Sequence, residues 1–123
     1  MTTDLTIGLV NRPGSLAAVC EAFGHAGVNI EGACGAVVDA QPALHVLITD
    51  AERATRTLID AGFAILAQQQ VLTVPVENRP GAAATLLRRV TEAGVELDLL
   101  YTTLDGRVVL GSPDLAGLRG ALG

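Results

Sequence analysis

Asn11-Arg12-Pro13-Gly14 returns as Asn78-Arg79-Pro80-Gly81, and Ala26-Gly27-Val28 returns as Ala93-Gly94-Val95, both at a displacement of 67 residues. Laying residues 4–34 over 71–101 at that displacement gives ten identities in 31 positions without a gap, with Leu5/Leu72, Thr6/Thr73 and Ala17/Ala84 joining the motif residues. A unit of this size exceeds the ~20–50 residues of solenoid repeats, so the chain reads as two small domains, residues 1–70 and 71–123.

Working outward from the first motif, Leu5 to Val10 alternates apolar and small residues as a short strand does. Asn11 is a good N-cap type and Pro13 suits the first helical turn, so a helix is expected next, with Leu16, Val19, Cys20 and Phe23 as its apolar stripe and Gly27 as its stop. Val28 to Val38 and Leu44 to Thr49 are expected to form a hairpin around a turn at Ala40-Gln41-Pro42. Asp50 caps a second helix over 51–61, with Ala54, Leu58 and Ala61 inward, and Phe63 to Ala67 opens a fourth strand. Gln68-Gln69-Gln70 reads as a solvated connection.

The fold class is therefore α+β: strand, helix, strand, strand, helix, strand, the split βαβ or ferredoxin-like order, with an antiparallel sheet and both helices on one face. The second repeat follows with a strand at 71–76, a helix over 80–93 turning Ala83, Leu86, Leu87 and Val90 inward, strands at 95–103 and 107–110 around Asp105-Gly106, and a helix over 113–122 capped by Ser112. It is expected to lack its last strand. The strand at 71–76 would then be an open edge, covered by another chain, by an exchanged strand or by continuation of the ladder from residues 63–70.

Half of the residues are apolar, mostly Ala, Val and Leu, and only Phe23, Phe63 and Tyr101 are aromatic. Each repeat must build its core from small aliphatic groups and would be marginal alone, a motive for repeats to pack together or on another chain. The net charge of −5 and eight scattered basic residues give no footprint for nucleic acid. Met1-Thr2-Thr3-Asp4 lacks the basic, apolar pattern of a signal peptide, and no apolar run approaches the ~20 residues of a membrane span, so the expected setting is cytoplasmic, with no membrane partner. Cys20 and Cys34 read as buried free thiols, His25 and His45 as surface residues, and Asp4, Asp39 and Asp105 as turn or terminus residues. No metal, no cofactor and no catalytic residue is expected, since no nucleophile, base and orienter converge.

A strand running into Asn-Arg-Pro-Gly, an alanine-rich helix, and Gly27-Val28-Asn29-Ile30 opening the next strand resembles the ACT domain, and the resemblance covers essentially the whole chain twice. It implies a non-catalytic, allosteric small-molecule sensor that binds an amino acid at the interface between ACT repeats paired side by side as a dimer, regulating a partner or its own assembly. A regulatory or oligomerisation subunit of a separate amino-acid biosynthetic enzyme is the alternative. Carried over, the ligand-binding residues are Asn11, Arg12, Pro13, Gly14 and Ser15 with Asn29 and Ile30, and in the second repeat Asn78, Arg79, Gly81, Ala82 and Glu96. The chemistry suits a zwitterion: helix-start N–H groups and glycine receive a carboxylate, and an asparagine can serve both ends. Ser15 becomes Ala82 and Asn29 becomes Glu96, so the two sites are expected to be unequal.

Overall fold

The computed structural model describes residues 2–10 and 12–123, with the backbone alone at Val38; Asn11, expected both as a helix cap and as a ligand contact, lies outside the described residues. The chain separates into two compact units, Met1–Gln69 and Gln70–Gly123.

The first unit contains β1 (Thr3–Gly8), α1 (Ser15–His25), β2 (Gly32–Val38), β3 (Gln41–Ile48), α2 (Ala51–Asp60) and β4 (Ala64–Gln70), and its sheet runs β2-β3-β1-β4. β3 is antiparallel to both neighbours, pairing Leu5 with Val46, and Ala33 with Val46 on its other side. Side chains alternate across a strand, so Leu5, Ile7, Leu44, Val46 and Ile48 share one face, where they close with Val19 and Phe23 of α1 and Ala54 and Leu58 of α2 into one core. Each buried valine, leucine, isoleucine or phenylalanine contributes on the order of 2 kcal/mol.

The second unit repeats the order as β5 (Leu72–Pro75), α3 (Ala82–Glu92), β6 (Leu99–Thr102), β7 (Arg107–Gly111) and α4 (Leu115–Leu122), with a three-stranded sheet ordered β5-β7-β6. Its core is smaller: Leu86, Val90, Val108, Leu110 and Leu118, with Val90 at the position equivalent to Phe23. The Arg89 guanidinium donates to the Leu122 carbonyl at 2.9 Å and satisfies the last turn of α4. The fold is thus the expected pair of α+β repeats, the second with three strands. β5 lies at a sheet edge, as expected, and β4 pairs in the first sheet beside β1.

The motif itself folds differently from a capped helix start. Ser15 N–H bonds the Arg12 carbonyl at 3.4 Å, and Gly14 between them has φ 91° and ψ −9°; Ala82 N–H bonds the Arg79 carbonyl at 3.3 Å across Gly81 at φ 84° and ψ −11°. Pro then Gly at the centre of such a turn is the signature of type II, and the glycine also serves as N-cap, so the helices begin after it and not at the proline. The far ends match too. Val28 N–H reaches back to Phe23 and Val95 N–H to Val90, closing Schellman motifs at Gly27 and Gly94. That bond takes the Val28 N–H out of the ladder, and β2 starts at Gly32 and not at 28.

Other expectations change for local reasons. The first hairpin turns at Asp39 and Ala40, both at positive φ, which leaves Gln41 and Pro42 inside β3. Gln68–Gln70 belong to β4, where an edge strand lets polar side chains reach water while the backbone pairs. Asp50 caps α2 through Arg53 N–H at 3.1 Å as expected, but α4 is capped by Asp114, whose carboxylate accepts from Gly117 N–H at 2.9 Å, while Ser112 accepts from Asp114 N–H. Ala82 and not Ala83 faces the core, and Ala61 is exposed. Both cysteines are exposed. Asp4 is buried on the helix-free face of β1, where His45 Nδ1–H donates to it at 2.9 Å, a cross-strand pair that position near the terminus did not suggest.

At the β6–β7 hairpin, Thr103 Oγ1–H donates to Asp105, and Arg107 Nε donates to the same carboxylate at 3.0 and 3.1 Å. These bonds, the hydroxyl first, hold the Asp105 carboxyl below its ordinary value of 3.8. A lowered folded value means that the pair's contribution is complete above about pH 4 and disappears as pH falls through the folded value. NMR titration of Asp105 should therefore give a midpoint below 3.8, and Thr103→Val should raise it; a midpoint at 3.8 or above would show the hairpin unpaired in solution.

A side chain on Gly14 or on Gly24 would meet nothing within 4 Å, but only Gly14 has positive φ. Gly14→Ala should therefore cost about 1–2 kcal/mol, whereas Gly24→Ala, inside α1, should stabilise by roughly 0.5–1 kcal/mol. Urea denaturation of both variants checks this, and equal effects would refute the assignment of the turn.

Candidate functional site

In each unit a groove opens where the strand-to-helix turn faces the following hairpin. The first, about 640 Å³, lies between Arg12–Ala17 and the β2–β3 hairpin, with Gly35 and Ala36 on its strand side. The second, about 500 Å³, lies between Val76–Arg79 and the β6–β7 hairpin, where Thr102 stands in place of Gly35 and Leu104 in place of Val37. Large apolar side chains that remain exposed gather here: Val10 (62 %), Leu16 (52 %) and Val37 (59 %) rim the first groove, and Leu100 (50 %) and Leu104 (87 %) the second. Leu16 was expected in the core stripe of α1. It sits one turn too near the helix start to reach the sheet, and Val19 and Phe23 fill the core without it.

The polar groups of the first groove sit at the turn. The first-turn N–H groups of α1, at Leu16 and Ala17, have no carbonyl one turn back within the helix, and the first bond of that register runs from Ala18 to Gly14 at 3.0 Å. The Ser15 hydroxyl donates to the Val10 carbonyl at 2.5 Å and lies 3.1 Å from the Arg12 carbonyl, so its proton braces the turn and its lone pairs are what it offers a ligand. Arg12 is exposed, and among the described residues no carboxylate pairs with it.

Arg12, Pro13, Gly14 and Ser15 thus line one groove, and Asn78 and Arg79 line the other, whereas Gly81 and Ala82 do not. Asn29, Ile30 and Glu96 fall elsewhere. Asn29 and Ile30 follow the C-terminal end of α1, about 15 Å along the helix from the turn at its start; Asn29 is exposed and Ile30 packs against the first core, and Glu96 is exposed after α3. Sequence reading missed Val10, Leu16, Gly35 and Val37. For Val10 the repeat alignment carried a signal, since position 10 faces Glu77 at the common displacement.

Among the described residues no cluster of His, Cys, Asp and Glu could hold a metal ion, and no helix is long and apolar enough to cross a membrane.

A protein of Bacteroides thetaiotaomicron is similar over 98 % of this chain and 85 % of its own, at 25 % identity and a TM-score of 0.86. The regulatory subunits of aspartate kinase from Thermus flavus and, in its ligand-free form, from Thermus thermophilus share the fold over 98 % of the chain and 90 % and 89 % of their own, each with a TM-score of 0.70, at 15 % and 17 % identity. The curated proteins yield no match. A family profile described as an ACT domain pair matches residues 1–111, nearly the whole chain. The doubled turn, the two α+β units and that match agree, and the chain belongs to the ACT domain pair family.

Proposed function

We propose that the protein is a non-catalytic, cytoplasmic sensor that binds an amino acid at an interface between ACT repeats and thereby regulates a partner or its own assembly. The observation that carries this reading is the lining of the first groove: Arg12 and the first-turn N–H groups of α1 suit a carboxylate, and Val10, Leu16 and Val37 suit an aliphatic side chain. A rim this apolar suits a small or branched amino acid. The proposed contacts remain Asn11, Arg12, Pro13, Gly14, Ser15, Asn29 and Ile30, with Asn78, Arg79, Gly81, Ala82 and Glu96 in the second repeat.

The separation of Asn29 from the turn has a direct consequence for this reading. One small ligand can touch both only where the turn of one repeat meets the Asn29 end of another, so binding and repeat pairing are coupled. The edge strand β2 supports such pairing: Gly32–Val38 carries no charge and no proline to discourage a second strand. A homodimer joined through that edge follows.

The likeness to regulatory subunits of aspartate kinase favours a second reading, a regulatory subunit for a separate amino-acid biosynthetic enzyme. The two readings part in a melting scan against the twenty amino acids. A ligand at ~100 times its dissociation constant adds ~2.7 kcal/mol to the folded state. The sensor reading expects at least one amino acid to raise the melting temperature, and Arg12→Gln to abolish the rise without lowering the unliganded value. No rise with any amino acid would defeat it, and saturable binding of an aspartate-kinase catalytic subunit by that ligand-blind protein would establish the second.

A further inference from the structure

The two turns make the same backbone bonds but differ in charge. Arg12 N–H bonds the Val10 carbonyl at 2.8 Å and Arg79 N–H bonds the Glu77 carbonyl at 3.0 Å, so positions 10 and 77 occupy the same place in the same backbone turn. In the first repeat that place holds a valine. In the second it holds a carboxylate that takes the arginine: Arg79 Nε donates to Glu77 Oε2 at 2.5 Å. Both residues line the second groove.

Resting on the sensor reading above, we propose that Glu77 disfavours carboxylate ligands in the second groove, so that each chain takes its ligand's carboxylate preferentially in the first, beside Arg12. A carboxylate entering the second groove must displace an ion pair already formed and then lie beside the negative charge that it displaced. A carboxylate entering the first meets a guanidinium without that competitor. The strand sides of the grooves act in the same sense, since Gly35 and Val37 leave room that Thr102 and Leu104 occupy. The Arg79–Glu77 pair is exposed, 59 % and 75 %, so its influence is screened by salt and is greatest at low ionic strength.

The test is a site-resolved amide NMR titration of the full chain, with the backbone amides of Gly14 and Gly35 reporting the first groove and those of Asn78 and Leu104 the second. The probes are the twenty amino acids and acetate, at low salt. The wild type should respond at the first groove at concentrations lower than those needed at the second, by up to about fivefold. Glu77→Val and Glu77→Gln should both tighten the second groove, and Val10→Glu should weaken the first, with the differences shrinking as salt is added. Glu77 is exposed, so these variants report on charge and not on folding. Equal affinities at the two grooves in the wild type, or Glu77 variants that leave the second groove unchanged, overturn this inference and leave the sensor reading standing. Silence of both turns toward every probe overturns both.

Discussion

Each repeat depends on a backbone reversal compressed into a proline and a glycine. β1 and α1 must turn sharply against one another for Val19 and Phe23 to reach the sheet, and the turn does so with one bond from Ser15 to Arg12 and one left-handed residue. The second repeat keeps that geometry although its side chains change at positions 77 and 82 and its core loses an aromatic ring. Loss of the serine hydroxyl alters the bond across the turn by only 0.1 Å, from 3.4 to 3.3 Å, so the serine braces a turn that glycine already determines. Backbone geometry is the invariant of this chain, and side-chain chemistry varies upon it.

Periodicity and internal repetition made the architecture legible. Alternation in Leu5 to Leu9, the Asp50 cap and the glycine stops located elements to within a few residues, because each reflects a local backbone requirement. The errors also have local causes. Asn-Arg-Pro-Gly suits an N-cap with proline in the first turn as well as a type II turn, and only the φ of Gly14 separates them. Gln68–Gln70 looked like a linker because side-chain polarity was read where backbone pairing decided. Asp4 reads from sequence as a residue near the terminus because its partner, His45, lies 41 positions away, beyond any local pattern.

The site was less legible than the fold. The turn residues stand out in the sequence because they repeat, whereas the groove beside them is lined also by Leu16, Gly35 and Val37, whose placement follows only from how the hairpin lies against the helix start. The charge contrast between the grooves was present in the alignment as Val10 against Glu77, yet it became an ion pair only when the turn brought Glu77 beside Arg79. Duplication supplied two copies of one backbone, and a single change of side chain on that backbone is enough to give them separate electrostatic characters.

The vacancy beside Gly14 bears on what excludes other residues from the turn. Beyond its own chain neighbours nothing described lies within 4 Å of where its Cβ would stand, so the exclusion is a matter of chirality and not of room. A mirror-image alanine, whose backbone prefers positive φ, would meet that chiral requirement and narrow the conformations open to the unfolded chain. In this turn glycine therefore stands in for a D-residue, the only achiral means a ribosomal chain has of following a left-handed step.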